Sequence, residues 1–550
     1  MRKCACGGPA VPVEPSRVFW GYRRCFLCLL IVLCALLSLC ACGDSDKGAD
    51  RTIRIEIDSA PSTADPLLAS SASELLVVYN VFEGLTRVSS DGEVALAAAQ
   101  SVSHDESNTV YTFTLREAKW SDGEPVRAQD FVFGMRRAVD PVTKAKAASS
   151  LFCIQNAEQI AAGELPVSDL GVEATDERTL VIRLARPMDS FLSLLSTNMT
   201  FPCREDVFID AAGRYGMTQK TIVCNGPFSL RRWTDKVSMT LLRNSSYDGT
   251  HPARSNSVLL QFDQSQEGRV ERLINKEVDF GLLSDPSAAP GDSLSLYYDF
   301  NQCYALWFNL EHPILQDKAA RAALAGILDE ASLSASLPGQ YRAANGLIPE
   351  GCTVGGLSYR GTVGALVPLT VESAQAKADY AAAAQTTQAK KASGLTLLYV
   401  EGEVMKELAS RLAQQWQKEL GAYVALTPVT LQELKSTVAS GEFQIALTPF
   451  SSGDNGAMTL MRTLGSDNLK LPDSVFQRLD SLLTQAESAQ KDADRAEVLA
   501  LAEQYVVDEA IVVPIVESAV CYAARPVMDN VTFSFSSRVL DLAVMGKTGD

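Results

Sequence analysis

The run YTFTLREAKWSDGEPVRAQDF, from Tyr111 to Phe131, decides how this chain is read. Tyr111, Phe113 and Leu115 alternate with Thr112, Thr114 and Arg116, the two-residue period of a strand with one buried face. Trp120-Ser121-Asp122-Gly123 ends the strand in a turn, because Asp-Gly supplies a residue that tolerates positive φ. Pro125 fixes the way into an amphipathic run in which Val132, Met135 and Ala138 recur at helical spacing. Asp140-Pro141 stops that helix.

Outward from this block, composition narrows the class. At 550 residues the chain exceeds any single core, so two or three domains are expected. Hydrophobic content of 47% and charged content of 21% describe an ordinary globular protein. A net charge of −17 argues against nucleic acid or an anionic membrane surface as partner. The 3 histidines, His104, His251 and His312, sit in a polar hairpin, after a turn and before a proline. None stands in the setting of a base that activates a nucleophile. No Gly-x-Ser-x-Gly elbow, phosphate loop or HExxH helix occurs, so no enzyme and no cofactor are expected. No CxxC pair occurs after Cys42, which makes a zinc site unexpected.

The N-terminus reads as a targeting segment. Arg17, Arg23 and Arg24 precede the apolar run Cys25–Leu39, which is shorter than the roughly 20 residues that span a bilayer. Leu39-Cys40-Ala41-Cys42-Gly43 looks like a bacterial lipobox with Cys42 as the lipidated residue and Cys40 as the competing one. Residues 1–42 are thus expected to be a lipoprotein signal peptide and 43–51 a flexible tether. Six of the 13 cysteines follow Cys42, an even count that permits disulfides in an oxidising compartment. Cys203–Cys224 is the expected pair, since the segment between them reads as an excursion that leaves and rejoins one part of the fold.

Asp65-Pro66, Phe82-Glu83-Gly84-Leu85, Asp91-Gly92, Leu115-Arg116-Glu117, Lys119–Gly123 and Asp130-Phe131 follow in order. Asn225-Gly226-Pro227-Phe228 and the run from Leu241 to Tyr247 come later. Together they resemble the signature of family 5 extracellular solute-binding proteins, the oligopeptide- and dipeptide-binding receptors of ABC importers. The resemblance implies an α/β fold of the two-lobed, type II periplasmic-binding-protein kind, with an extra subdomain in lobe 1 at about 90–205. Lobe 1 is then 52–298 plus 512–550 and lobe 2 is 299–511. The lobes are joined by a two-strand hinge near Leu296–Asn301 and Asp508–Ile515.

The resemblance also implies a function: an extracytoplasmic, lipid-anchored receptor that closes on an oligopeptide and delivers it to a permease with its ATPase subunits. In the oligopeptide receptors the ligand's amine is held by an aspartate in a loop after a strand like Phe443–Pro449. Here that loop is Phe450-Ser451-Ser452-Gly453-Asp454-Asn455, and the aspartate position falls on Gly453 with Asp454 beside it. Either Asp454 takes the role from a shifted loop or the amine clamp is absent. Ser452, Asn455, Ser62, Phe133, Tyr304 and Trp307 complete the candidate cleft residues. The rival readings are a non-peptide solute on the same fold, a signalling or adhesion lipoprotein, and a secreted hydrolase.

Overall fold

In Thr52–Ile57 (β1) Ile53 and Ile55 alternate with Arg54 and Glu56, and both isoleucines are fully buried. This strand opens a sheet that runs through the whole molecule. The computed structural model describes residues 52–548 apart from 90–92, 189, 264, 266, 387–388, 392–393, 452–455, 465–470, 472, 490 and 534–538. Numbering only the strands of the large sheet, it continues with Phe228–Thr234 (β2), Ser238–Arg243 (β3), Ser257–Phe262 (β4) and Phe280–Leu283 (β5). Then come Ser295–Phe308 (β6), Tyr341–Ala343 (β7), Leu395–Val400 (β8), Val424–Val429 (β9), Ile445–Phe450 (β10) and Val512–Ala524 (β11). Across the sheet the order is β9-β8-β10-β6-β11-β5-β1-β4-β3-β2, with β7 pairing β11 off that path.

The order contains two parallel centres. β1 lies parallel to β4 and β5, and β8 lies parallel to β9 and β10. Parallel neighbours require long crossover connections, and helix Glu403–Leu420 between β8 and β9 is one of them, burying Met405, Leu408, Leu412 and Trp416 as its spacing predicts. Between the two centres run β6 and β11, antiparallel, in register from Ser295↔Ala524 to Trp307↔Val512. β5 takes the Cys521–Ala524 end of β11, and β10 takes the Cys303–Phe308 end of β6.

Burial follows the same division. One core gathers Ile53 through Phe280 and returns with Ala524 to Met545. The other half carries a core on each face of the sheet: Leu306, Leu412, Trp416 and Ile515 on one, Cys303, Trp307, Phe450 and Leu499 on the other. The molecule is therefore α/β with two lobes sharing two strands. The expected second crossing, Asp508–Ile515, falls elsewhere: Leu296–Phe300 faces Ala519–Ala523, while Val512, Val513 and Ile515 are already buried in the second lobe. The expected first crossing, Leu296–Asn301, is part of β6, which begins at Ser295.

The opening block builds a separate four-stranded antiparallel sheet from Ala99–His104, Val110–Leu115, Thr179–Arg183 and Val172–Ala174. The fully buried Trp120 donates its indole N–H to Asp130 Oδ2 at 3.0 Å, and the same oxygen accepts the Arg127 N–H at 2.9 Å where helix Ala128–Val139 begins. The other residues of the resemblance fasten this sheet to the lobe. Glu83 Oε2 accepts from Arg116 at 2.6 Å, and Oε1 from the Tyr247 hydroxyl at 2.5 Å. Asn225 closes the Glu83 main chain with two hydrogen bonds of 3.0 and 2.8 Å.

Cys203 and Cys224 are both free thiols, so the expected bridge does not form. Different partners hold them: Arg137 Nη1 lies 3.4 Å from the Cys203 sulfur, while the Cys224 main chain is tied to Ser121 at 2.7 and 3.1 Å. Burial pushes the two thiols up to about 11 and about 12, against Arg137 in the first case, so both are held protonated.

Helix Ala72–Val81 begins in a capping box between Ser71 and Glu74. Glu74 also accepts from the Ser62 N–H at 3.2 Å, the Ser62 hydroxyl, and the Ser70 and Ser71 N–H groups at 3.0 Å each. Burial works to raise its pKa, but these donors win and bring it from 4.5 to about 2. A folded pKa below the unfolded one gives stability that is complete above about 4.5 and lost as pH falls toward 2. Glu74→Gln should therefore cost about 1–3 kcal/mol at pH 7 and shrink the loss of stability between pH 4.5 and 2, read by urea denaturation across that range. An unchanged acid limb in the variant would remove Glu74 as its cause.

Candidate functional site

Where β6 and β11 leave one lobe for the other, Ser295–Gln302 is mostly half-buried. Tyr298 and Phe300 stand on the same side there, rings stacked at 6.2 Å. β7 lies against β11 and pairs Arg342 with Glu517. The Arg342 guanidinium sits 3.7 Å above the centre of the Phe300 ring. It donates to Glu517 Oε2 from Nε at 3.1 Å and from Nη2 at 2.7 Å, and Nη2 also reaches Glu350.

Glu517 is fully buried, and its other oxygen accepts the Asn345 N–H at 3.4 Å. Burial raises its pKa and the Arg342 hydrogen bonds oppose that rise. Burial likewise works against the charge of Arg342, but the two carboxylates outweigh it and its pKa goes up. Arg342 and Glu350, but not Glu517, line a cavity of about 330 Å³, together with Tyr298, Phe300, Thr353 and Ser358. Gly351 closes it by close approach: its N–H donates to the Phe300 carbonyl at 2.8 Å, and a Cβ there would meet that oxygen at 2.7 Å.

The far wall is the hairpin of Thr353–Val354 and Leu357–Ser358. Its tip residues Gly355 and Gly356 have φ of +56° and +94°. A Cβ on Gly356 would lie 2.7 Å from the Ser193 hydroxyl, which belongs to helix Phe191–Leu194 of the first lobe. The cavity is thus bounded by the shared strands on one side and by a hairpin that reaches the opposite lobe on the other.

The expected site residues are distributed unevenly around it. Ser452, Gly453, Asp454 and Asn455 lie outside the described residues, as does Cys42. The chain just after that loop is at the cavity's edge, for Gly456 bridges Thr353 on the wall, while just before it Phe450 pairs Cys303. Phe450 and Trp307 come together, ring centres 6.2 Å apart, but both are buried in the core beneath. Tyr304 points to the other face of the sheet against Tyr341 at 6.4 Å, where burial pushes its hydroxyl up to about 12. Phe133 rests on Phe208 at 5.6 Å in the first lobe, and Ser62 is taken up by Glu74.

Arg342, Glu350, Glu517, Tyr298 and Phe300 were not singled out by sequence reasoning. One signal was present: Glu517 is the lone charge in VVPIVESAV, and a charge in an apolar strand demands a partner. Among the described residues no group of His, Cys, Asp and Glu is placed to hold a metal ion. None of the described helices is long and apolar enough to cross a membrane.

The profile of the bacterial extracellular solute-binding proteins, family 5 Middle, matches residues 93–470. The chain belongs to this family. Its members are binding proteins and not enzymes. Among similar proteins is the Escherichia coli protein named "Probable deoxycholate-binding periplasmic protein YgiS", 29% identical over 84% of this chain and 88% of that one. The oligopeptide-binding protein OppA of Bacillus subtilis is 25% identical over 90% of this chain and 94% of its own. The structure of Listeria monocytogenes OppA bound to peptide superposes with a TM-score of 0.66 at 23% identity, covering 92% of this chain and all of that one, which is a likeness of fold.

The buried pair at the crossing makes a prediction. Arg342→Met takes its main cation from the Glu517 carboxylate and should cost about 2–3 kcal/mol in urea denaturation, less than a fully buried pair would lose because Arg342 is partly exposed. Arg342→Met combined with Glu517→Leu should recover most of that loss, since neither charge then has to be desolvated. Additive losses in the double variant would show that the two side chains act independently.

Proposed function

We propose that this solute-binding protein captures oligopeptides between its lobes and hands them to a membrane permease driven by ATPase subunits. The observation that carries this is the cavity at the β6–β11 crossing, floored by a strand the lobes share and walled by a hairpin whose tip reaches the first lobe, in a family 5 protein whose relatives include several named for oligopeptide binding. Thr52–Tyr298 with Ala519–Thr548 form one moving part and Asp299–Ser518 the other, turning about the shared strands. An extended peptide is held mainly through its main chain, so varied side chains are accepted in the same cleft. Asp454 takes the peptide's amine from the loop that ends at Gly456, next to Thr353. Cys42 carries a lipid that keeps the body at the bacterial cell membrane, on its outer face or, in a Gram-negative cell, in the periplasm.

A second reading has its own support. The relative named for deoxycholate is 29% identical across most of both chains, and the stacked Tyr298 and Phe300 would suit a rigid apolar solute.

Mass spectrometry of solute released from the purified body tests the function. Short peptides are expected, and a steroid or other non-peptide solute in their place would overturn the peptide reading. Asp454→Ala should weaken a free-amine peptide by about tenfold or more and leave its N-acetylated form nearly unchanged, as loss of a charge-assisted contact implies. Equal weakening of both forms would take Asp454 out of amine binding.

A further inference from the structure

The cavity at the crossing carries a charge of its own. Arg342 is its single cation, and two carboxylates share it: Glu517, with no exposure, and Glu350, whose side chain is 55% exposed at the rim. The Arg342 side chain is 35% exposed and already donates to both. One positive charge against two negative ones leaves an excess negative charge, and it resides on Glu350, the partner that solvent and ligand can reach. The chain's net charge of −17 adds a field of the same sign.

An incoming carboxylate would have to break the Arg342–Glu350 pair before it gained a guanidinium contact, and it would leave Glu350 beside it as a like charge. An incoming ammonium or guanidinium meets Glu350 with that pair intact. It also meets an aromatic face, because one side of Phe300 is covered by Arg342 while Tyr298, 36% exposed, stands open beside it. We infer that this cavity selects a basic side chain of the bound peptide, with Glu350 as its counter-ion and Tyr298 as the aromatic wall. Arg342, held from below by Glu517, fixes Glu350 in place and shuts out acidic side chains. This deepens the peptide reading and rests on it for the identity of the ligand.

The test is titration calorimetry of the complete mature chain with free-amine alanine peptides carrying Lys, Ala or Glu at each position in turn. At one position the Lys peptide should bind tightest and the Glu peptide weakest. Glu350→Gln should weaken that Lys peptide by about fivefold, the size of a half-exposed ion pair, and leave the Ala peptide within about twofold. Glu350 is at the surface, so this variant is expected to fold. Equal binding of Lys, Ala and Glu peptides at every position, or equal weakening of all three by Glu350→Gln, would overturn the inference while the peptide reading stood. If no peptide binds, the peptide reading itself falls. The charge of the solute released from the purified chain then decides: a cationic one supports the cavity's preference, and a neutral or anionic one overturns it.

Discussion

The antiparallel pairing of β6 with β11 is the constraint on which the rest of this structure depends. β11 joins the first lobe's sheet through β5 and β6 joins the second lobe's through β10, so the two halves of the sheet are continuous only through this pair. In the middle the pair has no core of its own, and two register shifts fall near there, between Phe300 and Gln302 and between Tyr304 and Ala305. Bulges increase local twist and bend a strand without ending its ladder. The lobes therefore remain hydrogen-bonded through any rotation, and the easiest place to bend is the stretch with the least packing. A cleft floored by these strands opens and closes because its floor is the hinge.

Packing also decides how charge is held there. Glu517 has no exposure and pairs Cys303 of the second-lobe core, so without a partner its charge would be costly. At the crossing Arg342 reaches it from β7 with two hydrogen bonds, Asn345 adds a third, and Phe300 shields the guanidinium from the other side. Such a pair contributes little net stability against an apolar substitute of the same volume, because desolvation offsets most of its attraction. Its effect is positional: it anchors a cation at a fixed height above the cavity floor, and that cation then holds Glu350.

What could be read from the sequence follows from how one-sided each segment is. Ile53 and Ile55, the Trp120 turn and the Glu403–Leu420 helix each have one buried face, so their periodicity is plain and their elements form where the pattern puts them. Ser295–Asn301 is half-exposed on both sides and gives no period, which is why β6 begins nine residues before Tyr304. The bulges also defeat extrapolation along that strand. Tyr304 and Trp307 have aromatic character suited to a cleft wall, yet three residues apart on one strand they face opposite cores, while Tyr298 and Phe300, before the shift at Phe300/Gln302, reach the cavity. The cysteine count admitted a bridge, but pairing is decided by neighbours distant in sequence. Arg137 beside Cys203 and Ser121 beside Cys224 could not be seen from spacing.

The residues that identify the family and those that line the cavity form two separate sets. Glu83, Arg116, Trp120, Asp130, Asn225 and Tyr247 are tied to one another, and their work is to fix the small sheet on the first lobe. Most are buried with their polar atoms engaged, so substitutions there would be penalised whatever the ligand. The cavity instead draws on β6, β7 and the hairpin at Thr353–Ser358, where the half-exposed side chains other than Arg342 can change at small cost to the fold. A framework held fixed by packing and a cleft whose lining can vary therefore coexist in one chain. This is also why likeness across most of the sequence specifies the architecture, while the chemistry of the bound solute has to be argued from Arg342, Glu350 and Glu517 themselves.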